Sequence, residues 1–351
     1  MASALPRLVA EIAGRVAPYQ PRVLFLGGSA VHGELCGIET APGRRRFLSD
    51  LDLSLVLADP PSDSELQALS AAVAAAAIPI PAGVGCYAES QLRRQHPTPG
   101  LVEAVRAGWV LAGEPEWLER FHMPPPQEIP PWESRRLLAN RTLEWLEARA
   151  REPRDVVGLA YAEAKLHADA GAAILLAKGL FAGGGFEERG RRAAVVLDLP
   201  EEERERIVSW TAWRLAPSPE LPGGRSIEEA GGAQGCEAVA RTIGCVIGAV
   251  ATNSSVRHFL GGPTIQGRTW ARAWKRWIRA RSASLVRPDP HVIARTPRVL
   301  LWEAALELAG GRPAPARSIL RRIGLDAPEE EDALARRIAE AARWMERLGV
   351  E

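Results

Sequence analysis

The sequence has few cysteines, few lysines and no long apolar run. Its four cysteines are widely spaced without a Cys-x-x-Cys pair, which argues against a disulfide framework and against a zinc site. No apolar run reaches the roughly 18 residues that a membrane span needs, and the N-terminus lacks the pattern of a signal peptide. We therefore expect a cytoplasmic protein that does not interact with membranes. Only three of the 44 cationic residues are lysine, and a net charge of +1 gives no general argument for nucleic-acid binding.

What the sequence does contain is the composition of a globular protein, with 46% hydrophobic and 25% charged residues. At roughly 150 residues per domain, a length of 351 residues predicts about two domains. The proline-rich segment 123–131 is typical of a stiff linker. It separates a region of alternating strands and helices, 1–122, from a region of helical periodicity, 132–351.

The residues that carry chemistry lie in the first region, on two predicted strands. The first strand, 24–26, runs into a Gly-Gly-Ser corner at 27–29, where the backbone can approach a ligand closely and exposed N–H groups can bind phosphate. The second strand carries Asp50 and Asp52, which point to the same face because side chains alternate along a strand. Two neighbouring carboxylates repel each other unless a cation lies between them, and Mg²⁺ is commonly held by one or two carboxylates together with substrate phosphates. The two strands together predict a nucleotide and metal site.

This ordered pair of motifs resembles the nucleotidyltransferase superfamily that includes DNA polymerase beta and the aminoglycoside nucleotidyltransferases. The matching residues are Gly27, Gly28, Ser29, Asp50 and Asp52, within a resemblance that extends from about residue 20 to residue 115. It implies an α+β fold, in which a nucleotidyltransferase domain with a mixed β-sheet flanked by helices precedes an all-α C-terminal domain that covers the cleft.

The resemblance also implies an activity. A nucleoside monophosphate, with AMP the expected one, would pass from ATP or another NTP to a hydroxyl acceptor, with release of pyrophosphate. Asp50 and Asp52 would hold Mg²⁺ or Mn²⁺ as catalytic residues, and Gly27, Gly28 and Ser29 would bind the nucleotide.

A third carboxylate is implied on the next strand, 83–89, where it would take the proton from the attacking hydroxyl. Glu89 is the acidic residue of that strand and is the candidate, with a surface glutamate as the alternative. Glu103, in the following predicted helix, is a weaker candidate. If neither reaches the site, the two aspartates would act alone or with weakened activity. The alternative is a nucleotide-binding or partner-binding module with a degenerate site.

One segment departs from the family pattern. Residues 36–46 lengthen the connection between the two motifs, and their glycine, proline and charge content predicts a loop. Its arginines, Arg44, Arg45 and Arg46, could close over phosphates. The alternative is an exposed surface insertion, since arginine runs are mostly solvated.

In the helical region, Tyr161, Lys165 and Asp169 are four residues apart and therefore share one face of a predicted helix. By analogy with related two-domain enzymes, Lys165 would bind a nucleotide phosphate, whereas the alternative is an i,i+4 ion pair on the surface. Further candidates for the same cleft are Asn140, Arg141 and Arg189.

Farther along the chain, Trp270, Trp274 and Trp277 lie on one face of a predicted helix whose other face is basic. We interpret them as core side chains, with nucleic-acid binding as the alternative. The balanced charge favours a small-molecule or protein acceptor over nucleic acid, and a homodimer is an open alternative.

Overall fold

A computed structural model describes residues 5–59, 61–76, 80–93, 97–121, 123–151, 153–197, 199–251 and 297–347. The described chain is an α+β protein with a small mixed sheet followed by several helices, so the predicted fold class is confirmed at that level. None of the described helices is long and apolar enough to cross a membrane. The tryptophans at 270, 274 and 277 lie outside the described residues.

The chain divides into two compact units, and the division is not linear in sequence. The first unit is Met1–Pro130 together with two later segments, Gly179–Arg189 and Arg214–Ser218. The second unit consists of Pro131–Lys178, Gly190–Trp213 and Pro219–Glu351. The proline-rich segment that was predicted as a linker falls mainly within the first unit, where Pro126 and Ile129 are buried.

The described residues of the first unit include six strands and six α-helices before Pro130. The strands are β1 (Val23–Gly27), β2 (Gly37–Ala41), β3 (Arg44–Phe47), β4 (Leu51–Leu57), β5 (Ala82–Ala88) and β6 (Trp109–Gly113). The helices are α1 (Leu5–Val16), α2 (Gly28–Val31), α3 (Asp63–Ala76), α4 (Glu89–Leu92), α5 (Pro99–Ala107) and α6 (Glu116–Glu119). Four of the strands form one sheet in the order β5-β4-β1-β6, whereas β2 and β3 pair with each other as a separate hairpin.

The sheet is mixed because β4 runs antiparallel to β1 but parallel to β5. Because side chains alternate along each strand, the sheet presents apolar side chains on both faces, and helices pack on each of them. On one face, Leu24 and Leu26 of β1 and the leucines of β4 pack with side chains of α1 and α3. On the other face, Phe25 and Val56 pack with side chains of α5 and α6. This alternation fixes which face of β4 each of its side chains occupies, and it therefore positions the candidate site.

The second unit is mainly helical. Its helices include α7 (Glu133–Ala150), α8 (Val156–Ala177), α11 (Ala233–Ala251), Pro297–Ala309, Pro313–Arg322 and Glu331–Arg347, together with most of α9 (Phe186–Val196) and of α10 (Glu201–Leu215). Helix α8 is buried from Leu159 onwards except at Lys165, and its buried residues include Glu163, His167 and Asp169. A short two-stranded ribbon, β7 (Glu220–Leu221) and β8 (Arg225–Ser226), was not included in the prediction of an all-α region.

Candidate functional site

The Gly-Gly-Ser corner lies directly beside the second aspartate. In the antiparallel register of β1 and β4, Gly27 is the partner of Asp52. A Cβ atom built on Gly27 would lie 3.0 Å from the Cβ atom of Ala104 in α5, so the missing side chain allows α5 to pack closely. Gly28 has a φ of +63°, and a Cβ atom there would overlap the carboxylate of Asp52. The two glycines therefore let the turn from β1 into α2 close against the Asp52 side chain.

The two aspartates follow the alternation of β4. Asp50 immediately precedes the strand and is exposed, Leu51 is buried, Asp52 is exposed and Leu53 is buried. Because exposure changes at each residue, both carboxylates lie on the side of β4 away from Leu51 and Leu53. Both are accessible to solvent, as ligands of a bound ion or substrate need to be.

Ser29, the third residue of the corner, is 5% exposed. Its carbonyl oxygen accepts the backbone N–H of Glu34 at 2.9 Å, which closes the turn after α2. The structure therefore leaves Gly28 partly exposed at the candidate site, whereas Gly27 and most of Ser29 are buried beneath it.

The segment 36–46 is a β-hairpin, so the prediction of a loop was wrong. Its glycine and proline content reflects the turn alone, where Pro42 and Gly43 connect β2 to β3 and Gly43 has a φ of +73°. At the base of the hairpin, the carbonyl of Cys36 accepts the N–H groups of Leu48 at 3.0 Å and Ser49 at 3.3 Å. The N–H of Cys36 donates to Ser49 Oγ at 3.0 Å, which ties the hairpin to the residue before Asp50.

The structure does not bring Glu89 to the aspartates. Strand β5 ends at Ala88, and Glu89 is the first residue of α4, where it pairs with Arg93 at 2.8 Å. Strands β4 and β5 are parallel, and Asp52 is aligned with Gly83. Glu89 follows Gly83 by six residues, which corresponds to about 20 Å of strand. The prediction failed because Glu89 stands at the opposite end of the parallel pair from Asp52.

The weaker candidate, Glu103, lies on α5 next to Ala104. Its carboxylate is 4.0 Å from Arg189, and its side chain is 13% exposed. A Cβ atom on Gly183 would lie 3.7 Å from its Oε1 atom. Glu103 is therefore engaged by a segment that follows in sequence by about 80 residues.

That later segment, Gly183–Arg189, belongs to the first unit, and sequence reasoning had singled out only Arg189 from it. The carboxylate of Glu34 accepts the N–H groups of Phe186 at 2.8 Å and Glu187 at 3.0 Å, and it thereby caps the N-terminus of α9. The Cζ atoms of Arg189 and Arg214 lie over the ring of Phe186, at 4.2 Å and 3.2 Å from its centre. The glycine triplet at 183–185, followed by a helical pattern, could have indicated where α9 starts. It could not have indicated that Glu34 caps this helix.

His32 lies close to the same segment. Burial lowers the pKa of His32, Arg189 lowers it further, and Glu34 opposes both effects. Its Nε2 atom is buried without a hydrogen-bond partner among the described residues. His32 therefore tends to be neutral beside the corner of β1 and α2.

In the second unit, Lys165 belongs to a charged network between α7 and α8. Its Nζ atom is 3.0 Å from Glu144, which is also 2.6 Å from Arg141. Arg141 in turn lies 2.6 Å from Asp169, so Lys165 and Asp169 are linked through α7. Desolvation alone would raise the pKa of Glu144, but Arg141 and Lys165 outweigh it and the pKa is lowered. The phosphate-binding role of Lys165 stays a prediction.

No group of three or more histidine, cysteine, aspartate or glutamate side chains in the described part of the chain is arranged to hold a metal ion. A metal at Asp50 and Asp52 would therefore depend on oxygen ligands from a bound substrate. Comparison with protein-family models, with curated proteins and with solved structures gives no match to this chain.

Proposed function

We propose that the first unit is a metal-dependent nucleotidyltransferase that transfers a nucleoside monophosphate, AMP in the first instance, from an NTP to a hydroxyl acceptor with release of pyrophosphate. One observation carries the proposal. The carboxylate of Asp52 lies against Gly28 where β1 turns into α2, and Asp50 is exposed on the same side of β4. A glycine corner beside paired carboxylates is suited to a phosphate chain that is bound together with a divalent cation.

The donor set fits Mg²⁺ or Mn²⁺, since both ions prefer oxygen ligands. When bound, the ion would supply charge neutralisation at the α-phosphate and at the pyrophosphate leaving group. Asp50 and Asp52 would hold it, and their exposure leaves room for phosphate oxygens to complete the coordination. Gly28 is partly exposed and lacks a side chain, so the phosphates can approach the backbone of the corner there.

A second candidate function is a nucleotide-binding or partner-binding module that has lost turnover. Strand β5 places Gly83 beside Asp52, and the residues that follow, up to Ala88, include no carboxylate. The described part of β5 therefore offers no base for the acceptor hydroxyl next to the aspartates. This observation favours binding without transfer.

The test uses the full chain with α-labelled ATP, Mg²⁺ and a pool of hydroxyl acceptors. We expect label transfer in the wild type and a loss of about 100-fold or more in Asp50→Asn and Asp52→Asn, equivalent to about 2.7 kcal/mol of transition-state stabilisation. Glu89→Gln is the matched control, because it removes a carboxylate about 20 Å away and should leave the rate unchanged.

The outcomes separate the two candidates. Binding of ATP without transfer to any acceptor supports the module, and loss of that binding in Asp52→Asn locates it at the same site. Full transfer activity in the Asp50→Asn, Asp52→Asn double variant contradicts both. Urea unfolding of each variant shows whether a loss of activity reflects a loss of structure.

A further inference from the structure

The β2–β3 hairpin presents three consecutive exposed arginines, Arg44, Arg45 and Arg46, on its second strand. Its cross-strand register pairs Glu39 with Arg45, and residues directly opposite in an antiparallel pair share a face. An ion pair between these two would be expected. Instead, the Glu39 Oε1 atom accepts the backbone N–H of Gly43 at 3.0 Å, in the turn of the hairpin. The Glu39 carboxylate therefore stabilises the turn of the hairpin and not the guanidinium of Arg45.

The Arg45 side chain extends the other way, towards the base of the hairpin. A Cβ atom built on Gly37 would lie 3.1 Å from Arg45 Nε, so the side chain crosses over the space that Gly37 leaves open. Its Cζ atom is 5.9 Å from the centre of the Phe47 ring, at the distance of a cation–π contact. Among the described residues, no acidic side chain pairs with Arg45. The guanidinium is thus positioned by glycine and aromatic neighbours and keeps its charge uncompensated.

The base of the hairpin is also the part closest to the candidate site along the chain. Gly37 and Phe47 are the first cross-strand pair, and Phe47 precedes Asp50 by three residues. Three residues span at most about 11 Å. The hydrogen bonds between Cys36 and Ser49 fix this connection. Arg45 is therefore held over the end of the hairpin that leads into Asp50.

We propose that Arg45 is a phosphate-binding residue of the nucleotide site, where its guanidinium binds the triphosphate tail of the NTP. This inference rests on the proposed function. A guanidinium group matches a phosphate with two parallel hydrogen bonds, and Arg45 has no carboxylate partner among the described residues to be displaced first. The absence of a side chain at Gly37 leaves the space that the Arg45 side chain occupies.

The extent of the arginine strip favours a short polyanion over a nucleic-acid strand. The three arginines cover about 7 Å of β3, counted from the first Cα atom to the last. Specific nucleic-acid binding commonly neutralises several phosphates along a strand. The net charge of +1 also provides no broad basic surface around the hairpin.

The experiment measures the dissociation constants of full-length protein for Mg²⁺·ATP and for AMP by calorimetry. We expect the wild type to bind ATP more tightly than AMP. Arg45→Ala should weaken ATP binding about tenfold or more, equivalent to about 1.4 kcal/mol, because it removes a charge-assisted hydrogen-bond donor, and should leave AMP binding unchanged. Arg44→Ala removes the same charge one residue closer to the turn and should change ATP binding less than about threefold. Arg45→Lys should recover part of the loss, because it keeps the charge without the planar fork.

Equal weakening by Arg44→Ala and Arg45→Ala would mean a general charge effect and would overturn the assignment of Arg45. An unchanged affinity of Arg45→Ala for ATP, with the wild type still preferring ATP over AMP, overturns this inference and leaves the proposed function standing. Absence of nucleotide binding in the wild type removes both. A further outcome is that Arg45→Ala loses salt-dependent binding to single-stranded RNA while its affinity for ATP is unchanged. That result would overturn the inference and would indicate a nucleic-acid surface instead.

Discussion

Two glycines in the turn after β1 have similar backbone angles but different surroundings. Gly28 has a φ of +63° and faces the Asp52 carboxylate, whereas Gly33 has a φ of +73° and a Cβ atom there would meet no atom of the described residues within 4 Å. Alanine at either position costs about 1–2 kcal/mol of stability, because an L residue is disfavoured in the left-handed region. Only Gly28→Ala also pushes the Asp52 carboxylate aside.

We therefore expect Gly28→Ala and Gly33→Ala to reduce the free energy of unfolding by similar amounts, while Gly28→Ala alone reduces label transfer, by about 100-fold. Urea unfolding and the transfer assay measure the two effects separately. If the protein binds ATP but does not transfer the nucleotide, the affinity for Mn²⁺ in the presence of ATP is measured instead, and only Gly28→Ala should weaken it. Equal functional effects of the two substitutions would show that the position of Asp52 against Gly28 has no role.

A buried histidine in the second unit makes stability depend on pH. His167 is fully buried, its Nδ1 atom is 3.0 Å from Thr242 Oγ1, and its ring stacks on Trp210. Burial, with smaller contributions from Arg206 and Arg225, lowers the pKa of His167 to about 3. The folded state therefore holds the imidazole neutral, whereas the unfolded chain protonates it near its ordinary pKa of about 6.5.

Between about pH 6.5 and pH 3 the unfolded state binds more protons at this position, so the contribution of His167 to stability is present above pH 6.5 and is lost as the pH falls. The slope is at most about 1.36 kcal/mol per pH unit. His167→Phe keeps a ring against Trp210 and removes the titration, so its free energy of unfolding should fall less steeply on acidification. Burial raises the pKa of Glu133 to about 7, but Glu133 is common to both proteins and cancels in the difference. Identical slopes in urea titrations at pH 7, 6 and 5 would contradict this assignment.

At the scale of residues, the sequence was informative where the partners are strand neighbours. The alternation of Asp50 to Leu53 follows from a strand alone, and the antiparallel pairing of β1 with β4, which was not predicted, makes Gly27 and Asp52 cross-strand partners. The capping of α9 by Glu34 joins residues separated by 152 and 153 positions, and no local pattern indicates such a contact. Glu89 was misplaced because the register between β4 and β5 is set by packing, not by the residues around Glu89.

At the scale of elements, strands and helices with a regular local pattern were predicted closely, and the β2–β3 hairpin was not. The strand expected over 83–89, for example, is observed as β5, Ala82–Ala88. The predicted helix that carries Tyr161, Lys165 and Asp169 is observed as Val156–Ala177, where the Asp155 side chain caps its start. The β2–β3 hairpin was predicted as a loop because its arginines and Pro42-Gly43 turn obscure the strand pattern. Its pairing depends on cross-strand neighbours, which a single-strand pattern does not contain.

At the scale of the whole molecule, the sequence suggested a linear division at the prolines, but the first unit also includes Gly179–Arg189 and Arg214–Ser218. A proline-rich stretch in the sequence can mark the point where the chain leaves a unit. Later segments that pack back onto that unit carry no comparable compositional signal. These returning segments supply partners for side chains of the first 130 residues. Arg189 lies beside Glu103, and the backbone N–H groups of Phe186 and Glu187 donate hydrogen bonds to the carboxylate of Glu34.

A fragment consisting of residues 1–130 should therefore be less stable than the same residues in the full chain. It loses both N–H donors to Glu34 and leaves Glu103, now 13% exposed, without Arg189. Removing the partners of buried or half-buried polar groups costs about 1–3 kcal/mol each. Amide exchange of Leu24 and Leu26 in β1 measures the effect, and protection should fall by at least about tenfold in the fragment. Co-expression with residues 131–351 supplies the missing segments as a control and should restore part of that protection. Equal protection in the fragment and in the full chain would show that residues 1–130 form the unit by themselves, and that the returning segments are dispensable for the sheet that holds Asp52.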